Sequence, residues 1–197
     1  MKTLVIGGGL IGLTSAYVLQ AMGESVTLLE ANDGIGLEGS YANGGLLTAS
    51  MSDPWNAPGA YKQLALSLVD PASAMKLRMK AIPSLLFWGM HFLRHSSACQ
   101  HSAATVANYH LSAYAIKKTK ALREKLGLTY QSRSVGTIKL FRDQTAMASS
   151  LAMAEKLHKT GLIFRPLDAG DVLELEPALA AIEQDIVGGL YFPDDES

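Results

Sequence analysis

Met1-Lys2-Thr3-Leu4-Val5-Ile6-Gly7-Gly8-Gly9-Leu10-Ile11-Gly12 opens the chain, and the reading of these residues decides its fold. Lys2 to Ile6 is a short aliphatic, β-branched run of the kind found in buried parallel strands. Glycines then fill the first, third and sixth places of G-x-G-x-x-G at Gly7, Gly9 and Gly12. Leu13 to Met22 reads as a helix stopped by Gly23, and Ser25 to Leu29 as a second strand with Glu30 at its carboxyl end. Strand, glycine turn, helix, strand and acid in that order are the signature of a dinucleotide-binding βαβ unit. In such a unit Gly7 permits the tight turn, Gly9 clears a path to a pyrophosphate, and Gly12 lets the helix pack on the strands. The helix N-terminus offers free N–H groups to phosphate oxygens. Glu30, eighteen residues past Gly12, accepts from ribose hydroxyls and repels a 2′-phosphate.

The remaining composition bounds the class. At 197 residues, 48% apolar and a net charge of −1, the chain can bury a sizeable core and lacks the basic excess of a nucleic-acid binder. Its single cysteine, Cys99, excludes an intramolecular disulfide framework and fits a reducing compartment. Met1 passes directly into strand-forming sequence, so no leader is expected. No run reaches the roughly 18 apolar residues of a membrane span. A cytoplasmic location is expected.

Beyond Glu30, Ala31 to Gly39 is a loop rich in Asn, Asp and Gly, and Ser40-Tyr41-Ala42-Asn43-Gly44-Gly45 closes it. Asp53-Pro54-Trp55-Asn56-Ala57-Pro58-Gly59 is a second turn-rich connection. With Gly7-to-Tyr17, Leu28-Leu29-Glu30-Ala31, Val135-to-Arg142, Leu175-to-Leu179 and Gly188-to-Glu196, these segments resemble the FAD-dependent D-amino acid dehydrogenases, within the D-amino acid oxidase and glycine oxidase superfamily. The resemblance runs through the whole chain.

That resemblance implies an α/β fold: a Rossmann-type FAD-binding βαβ start at residues 1–50, a helical region at 51–127, and the start of a mixed α+β substrate (cap) domain at 128–197. It implies FAD as cofactor, held by Ile6, Gly7, Gly8, Gly9, Leu10, Ile11, Gly12, Glu30 and Ala31. Ser40, Tyr41, Ala42, Asn43, Gly44 and Gly45 would run under the diphosphate toward the flavin. The implied reaction oxidises a D-amino acid to a 2-oxo acid and ammonia, with a quinone or the respiratory chain as electron acceptor. Glycine, sarcosine or proline-type amines are alternative substrates, and a non-catalytic dinucleotide-binding fragment is an alternative of another class. An NAD-dependent dehydrogenase is disfavoured by the Ser40–Gly45 loop. The family continues for a comparable length past Ser197, so this sequence is expected to be an N-terminal part that needs a C-terminal half or a partner chain. No catalytic residue is assigned.

The middle and end of the chain carry further expectations. Tyr61 to Val69 and Pro83 to His95 read as strongly apolar helices, the second preceded by Lys76, Arg78 and Lys80. The second is either buried against other protein or docked peripherally on an anionic inner-membrane surface. His91, His95 and Cys99 share an i, i+4, i+8 spacing, but Ser96 and Ser97 look like N-caps of a new helix that breaks the alignment, so no metal site is expected. Ser97 to Leu126 reads as one helix with an inner stripe of Ala104, Ala107, Leu111, Tyr114, Leu122 and Leu126, closed by Gly127. Lys117 to Lys125 then form a solvated, basic helix end. Thr129–Arg133 and Val135–Phe141 suggest a hairpin. Asp143 caps a helix with Met147, Leu151, Ala154 and Leu157 inside, Leu162–Leu167 is a strand, Asp168 opens a short helix limited by Pro177, and Ile186–Phe192 is the last strand.

Overall fold

The computed structural model describes residues 1–41, 43–69 and 79–197. Ala42, Lys76 and Arg78, all named above, lie outside the described residues. The chain divides into two compact units, Met1–Gly45 and Leu46–Ser197.

The first unit is the βαβ element. Strands β1 (Lys2–Ile6) and β2 (Ser25–Leu29) pair in parallel, Leu4 opposite Thr27, with helix α1 (Leu10–Ala21) between them. Parallel strands joined by a helix are what a right-handed crossover requires. Past α1 the chain reverses at Gly23, whose φ of +89° a β-carbon would strain, and Glu24 N–H donates to Leu19 C=O. The Lys2–Ile6 strand was expected to be buried. Instead both strands alternate: Thr3, Val5, Val26 and Leu28 are half-buried, whereas Leu4, Ile6 and Leu29 are exposed. Two strands and one helix can cover only one face of a sheet.

In the second unit, helices α2 (Ala60–Val69), α3 (Ile82–Arg94) and α4 (Ala98–Leu126) precede a three-stranded antiparallel sheet. The sheet comprises β3 (Thr137–Phe141), β4 (Arg165–Leu167) and β5 (Gly188–Phe192), in the order β3-β5-β4. Helix α5 (Gln144–His158) is capped by Asp143, whose carboxylate accepts from Ala146 N–H at 2.7 Å. Its Ala154 and Leu157 meet Leu190 and Phe192 of β5 and Tyr109 of α4 in the larger core cluster, with Met147 and Leu151 packed against it. Helix α6 (Ala169–Leu175) opens with a reciprocal Asp168–Asp171 capping box, and its Val172 joins Leu167 and Ile186 in a second cluster.

Two expectations fail here. The inner face of α4 is not the Ala104–Leu111–Tyr114 stripe: Leu111 and Tyr114 are exposed. The buried line runs through Thr105, Tyr109, Ala113 and Ile116. Thr105 can be fully buried because its hydroxyl donates to His101 C=O one turn back, so polarity did not keep it outside. The Thr129–Arg133 strand and its hairpin are also absent. Arg133 instead exchanges both backbone hydrogen bonds with Ser197, which takes it away from β3.

The C-terminal acids fix this unit. Asp195 and Glu196 are 2% and 3% exposed. Asp195 accepts from Ser50 Oγ and from Thr137 Oγ1 at 2.7 Å, while Glu196 accepts from Ser134 Oγ and pairs with Lys120 (3.1 Å) and Arg123 (3.4 Å). The backbone of Glu196 also pairs with Leu47. Burial pushes the Glu196 carboxyl upward, but the hydrogen bonds from Ser134, Lys120 and Arg123 outweigh it and hold the group below its ordinary 4.5. Such a group stabilises fully above the unfolded-state value and loses its contribution as pH falls through the lower folded-state value. Glu196→Gln should therefore cost about 1–3 kcal/mol at pH 7. In urea unfolding followed by circular dichroism, the gap from the unmodified chain should shrink as the buffer is taken below pH 4.5.

Candidate functional site

The carboxyl ends of β1 and β2 frame a cleft of about 540 Å³. Three features of the glycine turn build it. Gly7 has φ +99°, a left-handed conformation that favours glycine, and its N–H donates to Leu29 C=O at 2.7 Å, so the turn starts while still tied to β2. A β-carbon at Gly12 would coincide with the Gly7 carbonyl oxygen, so only glycine lets the first turn of α1 sit against the end of β1. Gly9 is the extended residue before α1, with φ −70° and ψ 179°, and no side chain of its own caps the helix. The first turn holds no acid, leaving the positive helix end unneutralised.

Glu30 closes the cleft from β2. Its Oε2 accepts from Gly8 N–H at 2.5 Å, and its Oε1 accepts from Ala31 N–H (2.8 Å), Asn32 N–H (2.9 Å) and Asn32 Nδ2 (2.9 Å). The backbone donors, Asn32 first and Gly8 second, keep its carboxyl below the ordinary range. The group is ionised at neutral pH. Oε2 carries a single donor and keeps a lone pair for a hydroxyl. Across the cleft, Ser40 Oγ accepts from Leu10 N–H at 2.9 Å, capping α1 from thirty residues away. That bond uses an oxygen lone pair and leaves the hydroxyl proton free to donate.

The structure brings Ile6, Gly7, Gly9, Glu30, Ala31 and Ser40 to the cleft wall. Gly8 lies behind it, bonded to Glu30, and Leu10 reaches it through Ser40. Gly12 acts from the packing side, and Ile11 is exposed on α1. Tyr41, Asn43, Gly44 and Gly45 do not line the cleft. Tyr41 is exposed, and Asn43 Oδ1 accepts from Gly45 N–H at 2.9 Å in a turn of its own. Sequence reasoning missed Asn32 and Glu38, joined at 3.2 Å, and Gly36, whose N–H donates to Gly8 C=O at 2.9 Å. Their signal was the density of Asn, Gly and acid in the loop after Glu30.

The start of α1, a turn that only glycine allows and an ionised carboxylate at the end of β2 thus meet at one cleft, which sets backbone N–H donors beside a carboxylate acceptor. The helix break that separates His91 and His95 from Cys99 is present, since α3 ends at Arg94 and Ser97 caps α4. Among the described residues no three His, Cys, Asp or Glu side chains gather around a metal position. Because Glu30 has a depressed value, its contacts persist above pH 4.5 and are lost as pH falls through the folded-state value. Hydrogen–deuterium exchange should show protection of the Gly8 and Asn32 amides at pH 6 that weakens as the pH is taken below 4.5, with Glu30→Ala unprotected throughout.

The profile of the family described as "FAD dependent oxidoreductase" (DAO) matches residues 2–197. Over 197 residues the chain is 34% identical to a D-amino acid dehydrogenase of Rhodopseudomonas palustris (strain HaA2), covering 100% of this chain and 46% of that protein. It is 31% identical to a D-amino acid dehydrogenase of Vibrio cholerae, covering 47% of it. The chain thus spans about half the length of the curated relatives it matches. Among solved structures, L-proline dehydrogenase from P. horikoshii overlays with TM-score 0.65 at 18% identity, over 98% of this chain and 36% of that one. Glycine oxidase from Geobacillus kaustophilus gives 0.57 at 21%, over 98% and 39%. The L-alpha-glycerophosphate oxidase of Mycoplasma pneumoniae, solved with FAD bound, gives 0.54 at 18%, over 98% and 38%. With a family profile running from residue 2 to residue 197, the chain belongs to the FAD dependent oxidoreductase (DAO) family, whose cofactor is FAD.

Proposed function

We propose that this chain serves the oxidation of D-amino acids to 2-oxo acids and ammonia. The observation that carries the reading is the 34% identity to a D-amino acid dehydrogenase over every residue of the chain. Bound FAD supplies the two-electron acceptor for the amine carbon, and water then releases ammonia from the imino acid. Residues 1–50 form the start of the FAD-binding domain, 51–127 a helical region, and 128–197 the start of the substrate domain.

The residues present fit the cofactor and have definite tasks. Gly7, Gly8 and Gly9 carry the backbone past the pyrophosphate, and the N–H groups opening α1 receive it. Ser40 Oγ, its lone pair taken by Leu10, donates its proton to a phosphate oxygen. Glu30 Oε2 accepts a ribose hydroxyl. Ile6 and Ala31 complete the contacts, and we assign the Tyr41–Gly45 segment to the diphosphate. Substrate contacts, including the cation for the substrate carboxylate, we assign to sequence outside these 197 residues, on the same polypeptide or a partner chain. Electrons leave to a quinone or respiratory-chain acceptor, with the enzyme peripheral on the inner membrane.

In a version of the enzyme extended to the length of its relatives, Gly9→Val should abolish FAD retention, because its β-carbon would lie 3.3 Å from Ser40 Oγ and its branches would fill the cleft. Glu30→Ala should weaken retention, because it removes the acceptor proposed for a ribose hydroxyl. A full flavin spectrum after dialysis of both variants would refute the assignment. Dye-coupled turnover of D-alanine above glycine, sarcosine and proline is expected; preference for any of the latter would replace the substrate class. Residues 1–197 alone should quench FAD fluorescence weakly and turn over no D-alanine, since the open face of β1 and β2 leaves the cofactor few contacts.

A further inference from the structure

Helix α3 leaves a broad apolar surface in water. Phe87 is 76% exposed, Trp88 60%, Leu86 57% and Met90 52%, and no α3 residue is buried. Trp88 stacks on Phe92 with ring centroids 5.1 Å apart, which makes a broad aromatic plate on one side of the helix. The second tryptophan of the chain, Trp55, is 85% exposed. It precedes Asn56, whose Nδ2 donates to the His95 carbonyl at 2.7 Å and so ties that turn to the end of α3. Contiguous exposure of this size marks a docking surface.

Charge decides what docks. From Pro71 to Arg123 the sequence contains no aspartate or glutamate, although the chain has 18 of them elsewhere. Within that span Lys80 stands just before α3 and Arg94 in its last turn. A protein partner that covered the aromatic plate would not require the surrounding residues to be purged of acid. An anionic lipid surface would, because it attracts each cation and repels each carboxylate within a Debye length. Aromatic side chains beside cations are also the composition of helices that lie in the headgroup region. Among the described residues no helix is long and apolar enough to cross a membrane, so lying on the surface is the mode the structure allows.

We propose that α3, with Trp55 beside its C-terminal end, is a membrane-docking element that lies in the interface of a bilayer rich in anionic lipid. This deepens the peripheral location proposed above and rests on α3 itself, not on the substrate assignment. The test is flotation of the 197-residue chain with vesicles on a sucrose gradient, where bound protein rises and aggregate sinks. Vesicles of phosphatidylcholine with about a third phosphatidylglycerol should carry the chain up. Phosphatidylcholine alone, or 0.5 M NaCl, should reduce the floated fraction at least 5-fold.

Phe87→Ser with Trp88→Ser should abolish flotation while the circular dichroism spectrum is kept, and Lys80→Glu with Arg94→Glu should reduce it at least 5-fold. In a Trp55→Phe chain, the remaining Trp88 emission should shift to the blue on vesicle addition and be quenched by brominated lipid. Equal flotation on neutral vesicles, none on anionic ones, or Trp88 already shielded from acrylamide in a vesicle-free dimer would overturn the proposal. Flotation without D-alanine turnover in the extended enzyme would leave it standing and remove only the enzymatic reading; turnover without flotation would do the reverse.

Discussion

The Glu30 carboxylate is the constraint on which the first unit is built. It stands at the end of β2 yet takes its shortest hydrogen bond from Gly8, at the end of β1, and three more from Ala31 and Asn32. One ionised group therefore fixes the separation of the two strand ends, the course of the glycine turn and the start of the following loop. Charge-assisted hydrogen bonds are the strong ones, and here they act where the hydrophobic effect is weakest, since the unit has one helix and an open sheet face. Cleft and architecture thus share one contact: the carboxylate that keeps a lone pair open to the cleft also holds the glycine turn in place.

How far the sequence could be read follows the range of each interaction. The βαβ unit was legible because its determinants are local: glycines at fixed offsets, an apolar run on each side, an acid at a strand end. The Asp143 and Asp168 caps and the Gly127 stop were legible for the same reason. The buried face of α4 was not. Thr105, Asn108, Lys120 and Arg123 turn toward protein because each finds a partner, in His101, Ser52 and Glu196, that hydropathy alone cannot reveal. The Thr129–Arg133 segment was misread because its mate, Ser197, lies more than sixty residues away. At the cleft, Glu30 was marked by pattern and Ser40 by the family resemblance, whereas Asn32 and Glu38 come into it only through the folding of their loop.

Family membership and the exposed surfaces fit one picture. A chain that spans about half of its relatives shows apolar strand residues on β1 and β2 and an aromatic face on α3. The two surfaces differ in their surroundings. The β1–β2 face has Glu30, Asp33 and Glu38 following it in sequence, while the α3 face lies within a long acid-free span. An open sheet face of small aliphatics suits further protein structure, and an acid-free aromatic helix suits a lipid headgroup layer.

The burial of Asp195 and Glu196 has a consequence for the order of folding. Their partners include Leu47 and Ser50, with Ser50 separated from Asp195 by 145 positions in sequence. Loop-closure entropy must be overcome before such contacts stabilise anything, and structures dominated by distant contacts form slowly. Helices α4 and α5 can form as soon as they are synthesised, but Lys120 and Arg123 find their carboxylate, and Ser50 its acceptor, only after residue 196 exists. Until then Lys120 and Arg123 lack that carboxylate, while Thr105 and Asn108 already have His101 and Ser52. The second unit therefore closes last at its acidic end, after the helices that end ties together have formed.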